Sequence, residues 1–146
     1  MKYAIKEHWD EEHSVARCVL TYQTSMGIPL QGIGIAECRP EDMDFVSELT
    51  GSTIACFRAE IDLFKKISNY EIKPAIAALK HVYCTMKDSK NYNPKSYEAV
   101  RLKKELAHLM DELEENKNAI AELQDSLKNY IDTKDKVYKR IREGQK

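Results

Sequence analysis

Residues 32–45 read GIGIAECRPEDMDF, and the reading of this stretch decides the fold. Gly32 and Gly34 alternate with Ile33 and Ile35, a period of two that begins a strand. Arg39 and Pro40 then open an acidic run, Glu41-Asp42-Met43-Asp44. Proline suits a first helical turn and carboxylates suit the positive end of the helix dipole, so a helix is expected to start here. A glycine-bearing strand followed by a helix invites comparison with phosphate-binding loops. The dinucleotide fingerprint wants a third glycine where Glu37 stands, and a P-loop wants a terminal Lys-Ser/Thr that is absent. Glycine inside a strand otherwise marks a bulge or a close approach, by other backbone or by a ligand. Both alternatives stay open at the level of sequence.

Working outward toward the N-terminus, KYAIKEHW (2–9) has period-two character and ends at the polar turn DEEH (10–13). SVARCVLTY (14–22) is a strand rich in β-branched residues, and QTSMGIP (23–29) carries the breakers Gly27 and Pro29. Consecutive strands with short turns predict a small antiparallel sheet over residues 1–40.

Toward the C-terminus helix dominates. Thr50-Gly51-Ser52 is expected to interrupt it. TIACFRAEIDLFKKI (53–67) then places Ile54, Phe57, Ile61 and Phe64 on one face. Pro74 kinks or restarts the helix. Ile76, Leu79, Tyr83 and Met86 carry the next stripe, which makes 41–88 a kinked helical region. DSKNYNPKSY (88–97) is the interhelical loop.

The strongest periodic signal lies last. Leu102, Leu106, Leu109, Leu113, Asn116, Ile120, Leu123, Leu127, Tyr130, Lys134, Val137 and Ile141 alternate spacings of four and three, an unbroken heptad seam. A polar seam residue such as Asn116 often fixes register or partner number. A helix over 97–143 is roughly 70 Å long at 1.5 Å per residue. A compact domain of this size has a radius of gyration near ~15 Å, too small to bury such a stripe alone. The helix is expected to pair with the preceding one as a hairpin and with a second copy of the chain. The expected fold is therefore α+β in a single domain: a small N-terminal antiparallel sheet followed by a long helical hairpin with a coiled-coil-like C-terminal helix.

Composition narrows the function. The 146 residues suffice for one domain with its own core, and the formal net charge is −1. That balance disfavours a non-specific binder of DNA or RNA, which needs many cations for phosphates. The charge is uneven: residues 1–50 hold four Lys/Arg against nine Asp/Glu, and the remainder is mildly basic. Cys18, Cys38, Cys56 and Cys84 are too far apart in sequence for a zinc knuckle or a redox pair, and read as free buried thiols in a reducing cytosol. No apolar run approaches the ~18 residues of a membrane span, and the charged N-terminus does not read as a signal peptide.

Candidate chemistry is thin for an enzyme. His8 and His13 flank the first turn beside Glu11 and Glu12, an arrangement that suits a solvated turn better than a metal cage. His81 and His108 stand alone on helices. No nucleophile-base pair is framed by a motif, no cofactor is expected, and the abundant carboxylates fit solvated faces. Arginines and aromatics are more informative. Arg58 follows Phe57 in the apolar face ACFRAEI, either snorkelling or aimed at an anion. Arg101 and Lys104 open the long helix, where free N–H groups also favour anions. Asn91, Tyr92, Asn93 and Tyr97 lie just upstream, and Tyr83 on the preceding helix. Tyrosines that stack a base, amides that read its edge and cations that hold phosphates make a nucleotide pocket. The plain alternative is a polar loop beside a solvated helix end.

The order of strand region, GIGIAECRPEDMDF, TGSTIACFRAEIDLFKK and long C-terminal helix resembles the phage and prophage anti-Thoeris proteins, in the first family described. Gly34, Ala36, Cys38, Pro40, Asp42 and Phe45 carry the match, and IACFRAE (54–60) supports it. The resemblance implies a non-enzymatic sponge in the cytoplasm of an infected bacterium. It would sequester cyclic ADP-ribose signals such as glyco-cyclic ADP-ribose, made by Toll/interleukin-receptor-like sensors, before they reach their effector. It further implies homodimers that can assemble into hexamers, a pocket where the sheet region of one subunit meets its partner's helices and, in some members, a separate site for cyclic trinucleotides. The competing readings are a phosphodiesterase that degrades such nucleotides, and a coiled-coil adaptor or phage structural protein.

Overall fold

Residues 2–144 are described by a computed structural model, and the packing around Gly32 and Gly34 settles their role. Strands β1 (Ala4–Asp10), β2 (Val15–Gln23) and β3 (Pro29–Glu37) form one antiparallel sheet in the order β1-β2-β3. On the central strand Ala16, Cys18 and Leu20 face inward and are almost fully buried. Cys18 pairs with Gly34 and Leu20 with Gly32, so the glycines share that face. Helix α1 (Glu48–Ile67) lies directly on it. A Cβ on Gly34 would stand 2.5 Å from the Ala59 nitrogen and nearer still to the Ala55 carbonyl oxygen. A Cβ on Gly32 would meet the Ala59 carbonyl oxygen and, at 2.5 Å, the Cβ of Leu63. The glycines are thus a seat for helix backbone, not for a ligand. Ile33 and Ile35 alternate onto the opposite face and stay 37% and 48% exposed.

The helix also closes the sheet's free edge. Arg58, Asp62 and Lys66 are spaced four apart and reach the open side of β3. Arg58 Nη1 donates to the Ile35 carbonyl (2.7 Å), the Ile33 N–H donates to Asp62 Oδ2 (2.9 Å), and Lys66 Nζ donates to the Gln31 carbonyl (2.7 Å). Side chains thereby occupy edge groups that another strand would otherwise pair with.

The expected interruption at Thr50-Gly51-Ser52 does not occur, since α1 begins at Glu48 and runs through. Gly51 serves close packing instead. A Cβ there would lie 3.1 Å from Ala16 Cβ and from the Trp9 ring. The helix expected at Pro40 is a short 3₁₀ piece, Pro40–Phe45, with the proline in its first turn.

By their contacts, residues 2–66 with 120–144 form one compact unit and residues 67–119 a second. Helix α3 (Tyr97–Gly144) contributes to each. In the first unit the 3₁₀ piece is clamped to the end of α3. Phe45 stacks on Tyr138 with centroids 4.6 Å apart and planes 4° apart. Asp42, only 5% exposed, accepts from Arg39 and, at 3.0 Å, from Arg142 Nη1. Arg39 also pairs with Asp135. Arginine, aspartate and phenylalanine of the RPEDMDF run are therefore parts of one clamp.

The heptad seam holds in this unit only to Lys134. From Ile131 onward the half-buried positions are Ile131, Lys134, Asp135, Tyr138 and Arg142, while the next seam residues, Val137 and Ile141, are 42% and 41% exposed. A straight helix drifts by about 20° per heptad relative to a strict seven-residue repeat, so the face toward its own chain leaves the seam. The last two seam residues stay uncovered.

In the second unit a π-helical turn, Ser68–Ile72, leads into α2 (Lys73–Lys87). Pro74 sits in the first turn of α2, so the helix restarts where the missing N–H costs least. Residues 97–119 of α3 complete this unit. Ser96 caps α3 by accepting the Ala99 N–H at 3.3 Å. Asn116 donates to the buried Ser68 Oγ at 2.6 Å, so this polar seam residue has a partner in its own chain. Ile72, Ile76 and Ala99 are buried here. Among the described residues no helix is long and apolar enough to cross a membrane.

Candidate functional site

Trp9 is the last residue but one of β1, Phe45 ends the 3₁₀ piece, and Tyr138 comes from the last turns of α3. These three aromatics, with Ile54 and Ile131 behind them, wall a cavity of about 230 Å³ in the first unit. Charged groups line the rest: Arg39, Arg58 and Lys134 against Glu37, Asp42 and Asp135. The charges are not equally available. Arg39 is held by Asp42 and Asp135, and Asp42 is shared with Arg142. Among the described residues neither Arg58 nor Lys134 has a carboxylate within ion-pair distance. Lys134 lies 5.6 Å over the ring of Tyr130. Arg58 spends one donor on the Ile35 carbonyl and retains the others of its guanidinium fork. The cavity thus offers two uncompensated cations and one uncompensated carboxylate, Glu37, beside flat aromatic surface. That is chemistry for an anion joined to a ring.

Arg58 is the one sequence candidate in this unit. The other seven belong to the second. There Tyr83 and Tyr92 bring their hydroxyls to 3.5 Å. The hydrogen bond from Tyr92, helped by nearby Lys103, holds the Tyr83 phenol below its ordinary range, and the same bond raises Tyr92. Lys87 stands 4.8 Å over the Tyr83 ring, which occupies one of its faces. Tyr97 is 75% exposed at the start of α3. Asn93 Oδ1 accepts the Lys95 N–H at 3.0 Å, and the Asn91 N–H donates to Ser89 Oγ at 3.4 Å, so both serve the turn. Arg101 pairs with Glu105 at 3.0 Å, one turn on. Lys104 is exposed on the same helix.

No protein-family model, curated protein or solved structure matches this chain.

A second hollow in the first unit has the opposite character. It is a groove of about 520 Å³ lined by Glu7, Glu48 and Glu60 together with Cys56 and Phe57. His8 and His13 take no part in it. His13 Nδ1 pairs with Asp10 at 2.8 Å, holding the first turn. The groove instead exposes a pairing that separation in sequence hid: Cys56 lies 3.3 Å from Cys18 and 2.9 Å from Glu7 Oε1. The pair meets because Cys18 stands opposite Gly34, and Gly34 receives Ala55, the neighbour of Cys56. Of the four thiols expected to be buried, only Cys18 is; Cys38 and Cys56 are half-buried and Cys84 is exposed.

Proposed function

We propose that this protein binds a cyclic ADP-ribose signal, such as glyco-cyclic ADP-ribose, and holds it without chemical change in the cytoplasm of an infected bacterium, so that Thoeris defence is not triggered. The observation that supports this most is the cavity that sets Arg58 and Lys134 beside Trp9 and Tyr138. Cations without internal partners attract phosphate, and aromatic faces stack a base with about 1–3 kcal/mol each. The resemblance of GIGIAECRPEDMDF and IACFRAE to the anti-Thoeris sponges is the second support.

Size refines the reading. Pockets that enclose a drug-sized ligand run from roughly 300 to 1,000 Å³. A cavity of about 230 Å³ takes one ring and a phosphate, and the remainder of a cyclic dinucleotide lies at its mouth. A second copy of the chain would supply the missing wall, and the uncovered seam residues Val137 and Ile141 are apolar surface for such an association. Tyr83, Tyr92, Tyr97, Asn91, Asn93, Arg101 and Lys104 are the further contacts to test, by alanine substitution one at a time.

The test is the fate of the ligand. Protein produced in cells making the signal is purified and heat-denatured, and the released small molecules are identified by mass spectrometry. Intact cyclic nucleotide is expected. A linear or hydrolysed product would mean a degrading enzyme, and no nucleotide at all would favour a coiled-coil adaptor.

A further inference from the structure

The groove beneath α1 holds more than a pair of packed cysteines. Cys18 projects from the central strand and is fully buried, whereas Cys56 on α1 is half-buried and faces the groove. Glu7, on the strand beside Cys18 and opposite it in register, completes the cluster. Two thiols in contact under a helix are ordinary packing. Two further facts set this pair apart. A carboxylate oxygen lies within 2.9 Å of Cys56 Sγ, and all three ligand atoms fall within 4.8 Å of one another. The groove above them is lined by Glu7, Glu48 and Glu60, none of which has a cationic partner among the described residues. Glu60 instead accepts the Tyr3 hydroxyl at 3.4 Å.

We propose that Cys18, Cys56 and Glu7 form a binding site for a soft divalent cation, Zn²⁺ or its probe Cd²⁺, with a groove water as fourth ligand. The donor set is the one such ions select: thiolate sulfur first, carboxylate second, in fourfold coordination. Two Zn–S bonds of about 2.3 Å at a tetrahedral angle set the sulfurs about 3.8 Å apart. The present 3.3 Å separation therefore has to widen by half an ångström, which rotation of the half-buried Cys56 side chain supplies. The chemistry balances simply. Each thiol gives up its proton, two thiolates and one carboxylate meet a 2+ ion, and two protons enter solution. Without the ion the thiols keep those protons. Burial and the hydrogen bonds to Glu7 and Cys18 push the Cys56 thiol far up, and burial raises Cys18. The negative groove lowers the cost of bringing the cation in and repels the phosphates that the first cavity attracts.

The experiment uses the full chain with Cys38→Ser and Cys84→Ser, so that only the cluster carries thiols. Titration with Cd²⁺ should develop a sulfur-to-cadmium charge-transfer band that saturates at one ion per chain, releases two protons in weak buffer and is displaced by Zn²⁺. Glu7→Gln, on an exposed strand, should weaken binding about 10-fold or more while leaving the metal-free melting temperature unchanged. Cys56→Ser should abolish the band. A band that does not saturate, one that survives Cys56→Ser, or a reduced protein that gives none would overturn the proposal. So would a Cys18–Cys56 disulfide that persists in reductant and blocks the ion.

Discussion

The two hollows of the first unit share a wall, α1, and differ in almost everything else. One is walled by Trp9, Phe45 and Tyr138 and holds the unpaired cations Arg58 and Lys134. The other is rimmed by Glu7, Glu48 and Glu60 and floored by a thiol. A single helix serves both because its backbone, not its side chains, seats on the glycines of β3. Side chains on its flanks are then free to differ, Arg58 toward one hollow and Cys56 toward the other. Charge would sort the two proposed guests: an anion with a ring on one side, a soft cation on the other.

That comparison can be broken at its shared support. Gly34→Val places a side chain where the Ala55 and Ala59 backbone lies, and overpacking there should cost about 3 kcal/mol or more. Urea unfolding should show a much lower midpoint or no cooperative transition, and both hollows should lose their ligands together. The next effect separates them. Asp42→Asn removes the buried carboxylate shared by Arg39 and Arg142, which should cost about 2–3 kcal/mol. Hydrogen exchange should speed up in the 3₁₀ piece and the last turns of α3, while the cadmium band is kept. Arg58→Gln sharpens the contrast further. The shorter amide gives up the exposed contact to the Ile35 carbonyl, which should cost only about 0.5–1.5 kcal/mol of stability, while loss of the charge should weaken nucleotide binding about 10-fold. Smallest is Val137→Ala. On a surface position of the isolated chain it should move the unfolding free energy by no more than about 0.5 kcal/mol. Sedimentation should nevertheless show weaker self-association if a second copy covers that strip.

Much of the architecture was legible because it rests on local periodicity. The sheet followed from alternation and turn residues, and α3 from its leucines. What the sequence hid was set by contacts between distant segments. Gly51 looks like a breaker because glycine is a poor helix former, yet it spares the helix a clash with Trp9 and Ala16. Asn116 looks like a device for choosing partners, and its amide is taken by Ser68. The seam reads as unbroken to Ile141, but a helix of natural pitch turns that residue out. At the candidate site, Arg58 was legible as a cation in an apolar face. Trp9, Phe45, Lys134 and Tyr138 were not, because they come from separate elements that only folding gathers. The Cys18–Cys56 pair was likewise invisible to spacing.

Titration calorimetry with glyco-cyclic ADP-ribose, run in parallel on the unaltered chain and on Arg58→Gln, tests the central claim most directly. Saturable binding to the unaltered chain, weakened about 10-fold in the variant and yielding the ligand unchanged, is the result this account predicts. Absence of heat with both proteins, or equal affinity for both, would contradict it.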